Sequence, residues 1–377
     1  MKRIYLDFNA STPPAPQVVK AMRPLLADFY GNPSSHHWAG IHAKEALEHA
    51  RGQVAALLAC RSDEIVFTSG GTEANNHAIK GVFQTRGKPG GHIITTQIEH
   101  PAVLQPCRFL ERLGAKVTYL PVDSHGLVDP DDVRKAITTQ TILVTVMHAN
   151  NEVGTIQPIA EISRITRQRD ILLHTDAAQS VGKLPTRVAE LGVDLLSVAG
   201  HKLYGPKGVG SLYIRHGVQL EPLLHGAGHE SGRRPGTENV LLDVGLGAAC
   251  EAAQPWLGMA AVQRLRDYFW QRLSTEFGAA VVLNGHPTER LPNTLNISFP
   301  GRIGSDVLES MEGVAASTGS ACHTGSTENS PVLKAMQIRP EVAIGAIRFS
   351  LGRSTTQDEI DGVVEQLHRV LQENGRR

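Results

Sequence analysis

What most constrains this chain is an alternation. Through its first two-thirds, short apolar runs at residues 64–68, 92–96, 116–120, 141–147, 171–175 and 195–198 alternate with stretches of helical patterning, among them 41–58, 131–137 and 158–170. Apolar runs this short read as buried strands. Strand, helix and strand repeated in this way predict a mainly parallel sheet with helices on both faces, because parallel neighbours need a crossover long enough to hold a helix. Near Pro255 the rhythm changes. A long amphipathic stretch at 259–277, a strand-like run at 293–299, a Gly/Ser/Thr-rich segment at 317–330, a strand at 346–350 and a closing helix from Gln357 predict a smaller α+β unit. At 377 residues the chain exceeds what one hydrophobic core usually serves. The expected division is a large domain at 16–255 and a small one made of 1–15 and 256–377.

Composition removes several classes of function. Lysine plus arginine and aspartate plus glutamate both number 37, so the formal net charge is zero, which argues against a surface built for direct nucleic-acid binding. The four cysteines, Cys60, Cys107, Cys250 and Cys322, form no C-x-x-C pair, and their spacing suits neither a zinc site nor a disulfide framework. Free thiols in a reducing cytoplasm are the expectation. No apolar stretch reaches about 18 residues, the length of a membrane span, and the start turns polar before a signal-peptide run develops.

Candidate chemistry lies where apolar runs end. The run 171–175 is followed at once by Asp176 and Gln179, with His174 inside it. Ligands of open parallel sheets bind at the carboxyl ends of strands. A carboxylate there can pair with a protonated pyridine nitrogen and make that ring an electron sink, or it can simply cap the next helix. Lys202 follows the run 195–198 in a turn with Gly205, Pro206, Gly208 and Gly210, beside His201. An amine held this way can lose its proton and form a Schiff base with an aldehyde cofactor; Lys207 is its rival. The bend Phe67-Thr-Ser-Gly-Gly-Thr-Glu73 leads into a helix whose free N–H groups, with the Thr72 hydroxyl, suit an anion.

Three further side chains stand out. His100, in Glu99-His-Pro101, ends another strand-like run and can face a pyridine ring or carry protons. Cys322 sits in Ser317-Thr-Gly-Ser-Ala-Cys-His-Thr-Gly-Ser326, too polar a stretch to be buried. His323 beside it favours the nucleophilic thiolate, and the glycines allow the loop to move. Arg348, on the strand 346–350, offers a fork suited to a carboxylate, or to a surface ion pair.

Taken in order, these motifs resemble the cysteine desulfurase family of fold-type I, class V aminotransferase, pyridoxal-phosphate enzymes. The likeness runs nearly end to end, through Tyr5-Leu-Asp-Phe-Asn-Ala-Ser-Thr-Pro13, Gly31-Asn-Pro-Ser-Ser35, Ala149-Asn-Asn-Glu-Val-Gly154, His174-Thr-Asp-Ala-Ala-Gln179, His201-Lys-Leu-Tyr-Gly-Pro206, Arg234-Pro-Gly-Thr-Glu-Asn239, Gly319-Ser-Ala-Cys322 and Ile347-Arg-Phe-Ser-Leu-Gly-Arg353. The resemblance implies an α/β fold with a mainly parallel large domain, pyridoxal 5'-phosphate as cofactor, and L-cysteine as substrate. Sulfur would be held as a persulfide on Cys322 for an acceptor protein, and alanine released. It implies Lys202 as the Schiff-base lysine, Asp176 on the ring nitrogen, His100 over the ring and Gln179 on its phenolic oxygen. Gly71, Thr72 and His201 would hold the phosphate, and Asn151 and Arg348 the substrate carboxylate. Thr237 would reach the neighbouring subunit's phosphate, so a homodimer is expected. Ala199 departs from the family, which often has a serine there as a phosphate ligand. Gly200-His-Lys202, Arg234-Pro-Gly236 and Cys322-His323 also resemble selenocysteine lyases, the alternative reading. The acceptor's pathway stays open among iron–sulfur cluster assembly, tRNA thiolation and DNA phosphorothioation.

Overall fold

The computed structural model describes residues 3–87, 90–318 and 330–373. Its strands, in chain order, are β1 (Ile4–Tyr5), β2 (Ile65–Thr68), β3 (His92–Thr96), β4 (Lys116–Leu120), β5 (Thr141–Thr145), β6 (Leu172–Asp176), β7 (Leu195–Ala199), β8 (Gly210–Ile214), β9 (Val282–Asn284), β10 (Thr294–Ser298), β11 (Val314–Ala315) and β12 (Ala346–Ser350). One sheet has the order β2-β8-β7-β6-β5-β3-β4. Its β7–β6, β6–β5, β5–β3 and β3–β4 pairs are parallel, and β8 runs antiparallel to both its neighbours.

The apolar runs are continuous because both faces of this sheet are covered. Leu143, Leu172, Leu195 and Leu212 pack on one face with helices Gly71–Arg86 and Pro101–Glu111. The next residues along, Val144, Leu173, Leu196 and Tyr213, pack on the other with helices Trp38–Leu58, Ile159–Arg167 and Val240–Ala253. Alternate side chains of a strand point to opposite faces, so each strand feeds both layers. Each fully buried aliphatic side chain contributes roughly 1.5–3 kcal/mol to holding them together.

Two details depart from the sequence pattern. The apolar run continues to Met147, yet β5 ends at Thr145, because the buried Glu99 carboxylate accepts the Met147 N–H at 2.9 and 3.0 Å in place of a strand partner. Strand β8 escapes the pattern because Gly210 opens it within a glycine-rich turn. A Cβ at Gly210 would lie 2.3 Å from Val198 O and 2.8 Å from Gly70 Cα, so the Gly70 bend packs directly on the sheet there.

A second assembly pairs β12, β10 and β9 antiparallel, with β1 parallel to β11. Leu6, Phe269, Ile297, Phe299, Phe349 and Leu367 form its core, contributed partly by helices Ala260–Phe277 and Gln357–Glu373. Phe269 and Phe349 meet edge to face at 5.1 Å. The amino-terminal segment links the two assemblies. Ile4 and Leu6 belong to this core, while Thr12 and Ala15 donate their N–H groups to His201 O and Tyr204 O of the larger one, each at 2.9 Å. Among the described residues no helix is long and apolar enough to cross a membrane.

Candidate active site

Strands β6 and β7 are parallel neighbours, with Asp176 opposite Ser197, so their carboxyl ends deliver Asp176 and the Gly200–Lys202 turn side by side. Asp176 is 6% exposed. Its carboxylate accepts from Asn75 Nδ2 at 2.7 Å and from the Ala178 N–H at 2.9 Å. Lys202 donates from Nζ to Asn9 O at 2.7 Å and Ala10 O at 2.8 Å. Burial and then the Arg348 charge pull its pKa down to about 8, against the opposing pull of Asp176 and Asp7. An amine so tuned is a competent base near neutrality. Lys207, the rival, is exposed.

His100 caps helix Pro101–Glu111, its Nδ1 accepting the Ala102 N–H at 3.1 Å, which leaves the proton of the neutral ring on Nε2. Desolvation lowers its pKa, and it feels both Asp176, which raises it, and Lys202, which lowers it. Acid and amine are thus both within electrostatic reach of the ring. His174, by contrast, is spent inside the sheet on Thr145 Oγ1 (2.8 Å) and Ser197 Oγ (3.0 Å), and burial drops its pKa to about 3.

The Gly70 φ of +145° bends the chain into helix Gly71–Arg86, a conformation that favours glycine. A Cβ at Gly71 would lie 3.2 Å from the Ala199 Cβ, so the amino end of this helix abuts the end of β7. Its first N–H groups have no intrahelical partner. Thr72 is exposed at the same end. His201 meets Ser11 Oγ at 3.3 Å, and burial with Lys202 and Lys207 lowers its pKa to about 4, so it is neutral. Gln179 donates from Nε2 to Asn9 O at 3.0 Å.

Arg348 is 4% exposed and donates to Asn151 O at 3.0 Å and Asp7 Oδ1 at 2.8 Å. Its Nε has no partner among the described residues. The Arg348 backbone also pairs with Ser317, at 2.7 and 3.2 Å. Ser330 donates to the Glu152 carboxylate at 2.5 Å. Cys322 lies outside the described residues, but the chain on either side of 319–329 is thus tied to Arg348 and to the neighbour of Asn151. Thr237 is the residue set apart. It is exposed, in an irregular stretch fastened to helix Gly71–Arg86 by the Arg234–Glu73 pair at 2.8 Å.

Sequence reasoning passed over Asn75, Asp7, Asn9 and Lys183. Asn75 carries a legible signal, a polar residue one turn after Gly71 on the buried side of its helix. Asp7 and Asn9 belong to the quoted motif Tyr5 to Pro13, whose role only contacts distant in sequence reveal.

An α/β layer with an amine and an acid on adjacent parallel strands and a helix end facing them has the architecture of class V aminotransferases, and the aminotransferase class-V family matches residues 4–363. A cysteine desulfurase IscS of Dictyoglomus turgidum is 49% identical over 99% of this chain and 95% of its own length. A solved NifS-like protein superposes with a TM-score of 0.92 at 39% identity, covering 98% of this chain and all of that one. A structure described as SspA in complex with cysteine gives 0.84 at 39% identity, over 93% and 99% of the two chains. The chain belongs to the cysteine desulfurase family within the class V aminotransferases.

Proposed function

We propose that this protein takes sulfur from L-cysteine, holds it as a persulfide on Cys322 and releases L-alanine, using pyridoxal 5'-phosphate. The observation that carries the reading is the meeting of the Lys202 amine, the Asp176 carboxylate and an open helix end at one mouth of the sheet. That donor set fits the cofactor. The N–H groups of Gly71 and Thr72, the Thr72 hydroxyl and His201 would hold the phosphate without a hydroxyl from Ala199. Asp176 would face the ring nitrogen, Gln179 the phenolic oxygen and His100 the ring. When bound, the cofactor supplies an electron sink for the substrate's Cα.

The chain's own residues divide the remaining work. Two hydrogen bonds hold the Asp176 carboxylate in place. Lys202, with a pKa of about 8, takes and returns the Cα proton. Arg348, with the Asn151 turn, binds the substrate carboxylate, for which its buried Nε is a free donor among the described residues. The Cys322 thiolate accepts the substrate sulfur, and a proton restored at Cβ completes alanine. Thr237 serves the site of a second copy in a homodimer, and the persulfide passes to an acceptor protein. Residues 256–377 with 1–15 act as the smaller domain. The setting is reducing and cytoplasmic, in keeping with the free thiols Cys60, Cys107 and Cys250. Alanine released from L-cysteine by the wild-type protein, and lost in Lys202→Ala, is the expected result; equal release by both overturns the assignment.

A further inference from the structure

Lys183 follows Gln179 by one turn's worth of chain and is buried, at 4% exposure, behind the site. Its Nζ donates to Gln179 Oε1 at 2.9 Å and to Asn9 Oδ1 at 3.2 Å. The same Asn9 oxygen also accepts from Asn293 Nδ2 at 3.0 Å. Two donors on one oxygen fix which end of the Asn9 amide points inward. Its Nδ2 is thereby turned to Thr294 Oγ1 at 2.8 Å and Asn151 O at 3.3 Å, the latter being the carbonyl that Arg348 also holds.

The Gln179 amide is fixed in the same way. With Oε1 on Lys183, its Nε2 lies beside Asn9 O, the carbonyl that also accepts from Lys202. Reversing this amide would set its NH2 against the Lys183 donors and its oxygen against the Asn9 carbonyl oxygen. The oxygen–oxygen contact would be repulsive, and a buried polar group without a partner costs about 1–3 kcal/mol.

We propose that Lys183 is a positioning residue that locks the Gln179 and Asn9 amides so that the Gln179 NH2 is presented to the cleft. This rests on the cofactor reading above, in which that NH2 meets the phenolic oxygen. A lysine serving only to fill the interior would leave the electronic state of the bound cofactor unchanged, so the two roles separate spectroscopically.

The test is a pH titration of the cofactor's visible absorbance in reconstituted holoenzyme. Gln179→Ala is expected to move the midpoint by about one unit, the scale of one hydrogen bond to a charged oxygen. Lys183→Met is expected to move it in the same direction. Added to Gln179→Ala, it should move the midpoint by less than about a third as much, because residues acting through one another are non-additive. If Lys183→Met does not fold, Lys183→Gln replaces it. A partial shift that vanishes in the Gln179→Ala background upholds the proposal, and one that persists there overturns it. A Lys183→Met protein with a lower melting temperature and an unmoved midpoint also overturns it. A wild-type protein that acquires no visible band on reconstitution would instead remove the cofactor reading itself, and this inference with it.

Discussion

Asn75→Ala is the sharpest perturbation of the site's electrostatics. Asn75 and Asp176 are both buried, at 1% and 6% exposure, and 2.7 Å separates Asn75 Nδ2 from the carboxylate. Hydrogen bonds to charged groups contribute about 1.5–3 kcal/mol, and little water can enter to replace this one. Among the described residues the Ala178 N–H, at 2.9 Å, would then be the remaining donor to the acid. Each 1.36 kcal/mol is tenfold in rate, so the variant should lose roughly tenfold to a hundredfold in kcat for alanine release, if the acid's charge matters in the transition state. The control is Asn76→Ala, half-buried on the same helix, whose amide donates to Thr72 O and has no bond to Asp176 among the described residues, and which should stay within about twofold. Steady-state alanine assays at several pH values decide it. An Asn75→Ala enzyme indistinguishable from the control would refute the account of how Asp176 is held.

In cofactor-free protein the Lys202 amine is protonated below its pKa of about 8 and neutral above it, so its labelling by an amine-reactive aldehyde should rise through that pH; a midpoint near 10.5 would contradict the burial argument. Burial raises the Glu152 pKa to about 7, so the folded protein binds the extra proton between 4.5 and 7 and loses stability as pH rises through that window. Melting curves should show this decline flattened in Glu152→Gln. Arg51 makes two 2.7 Å bonds to the buried Glu230, and Arg51→Met should destabilise by about 3–5 kcal/mol in denaturant titrations, because Glu230 keeps the Phe67 N–H but loses its ion-pair partner in a buried setting.

The layer architecture was legible because both faces of the sheet are buried along β2, β3, β5, β6 and β7, which writes them as apolar runs, while the edge strand β4 is largely half-buried. Where a backbone donor was captured by a side chain, as at Met147, the pattern overran the element. Where glycine opened a strand, as at Gly210, the pattern missed it, since close backbone approach leaves no hydrophobic mark. The site split along the same line. Asp176 and Lys202 each follow an apolar run directly, so strand-end logic found them. Asp7 and Asn9 join the site through contacts more than a hundred residues distant in sequence, as with Gln179 Nε2 on Asn9 O, and Lys183 bonds Gln179 one turn back but meets Asn9 only across the fold; no periodicity encodes such pairings. Thr237 was legible only by resemblance, because its surroundings in one chain give it no task.

The central claim is that the site delivers cysteine sulfur to one thiol. Single-turnover incubation of the holoenzyme with L-cysteine, followed by mass spectrometry of the peptide containing Cys322, measures it. The predicted result is a gain of one sulfur atom on that peptide, absent in Lys202→Ala, with alanine released in equal amount. Alanine formed by a Cys322→Ala protein at the wild-type rate, or sulfur found on Cys60 while Cys322 stays unmodified, would contradict it.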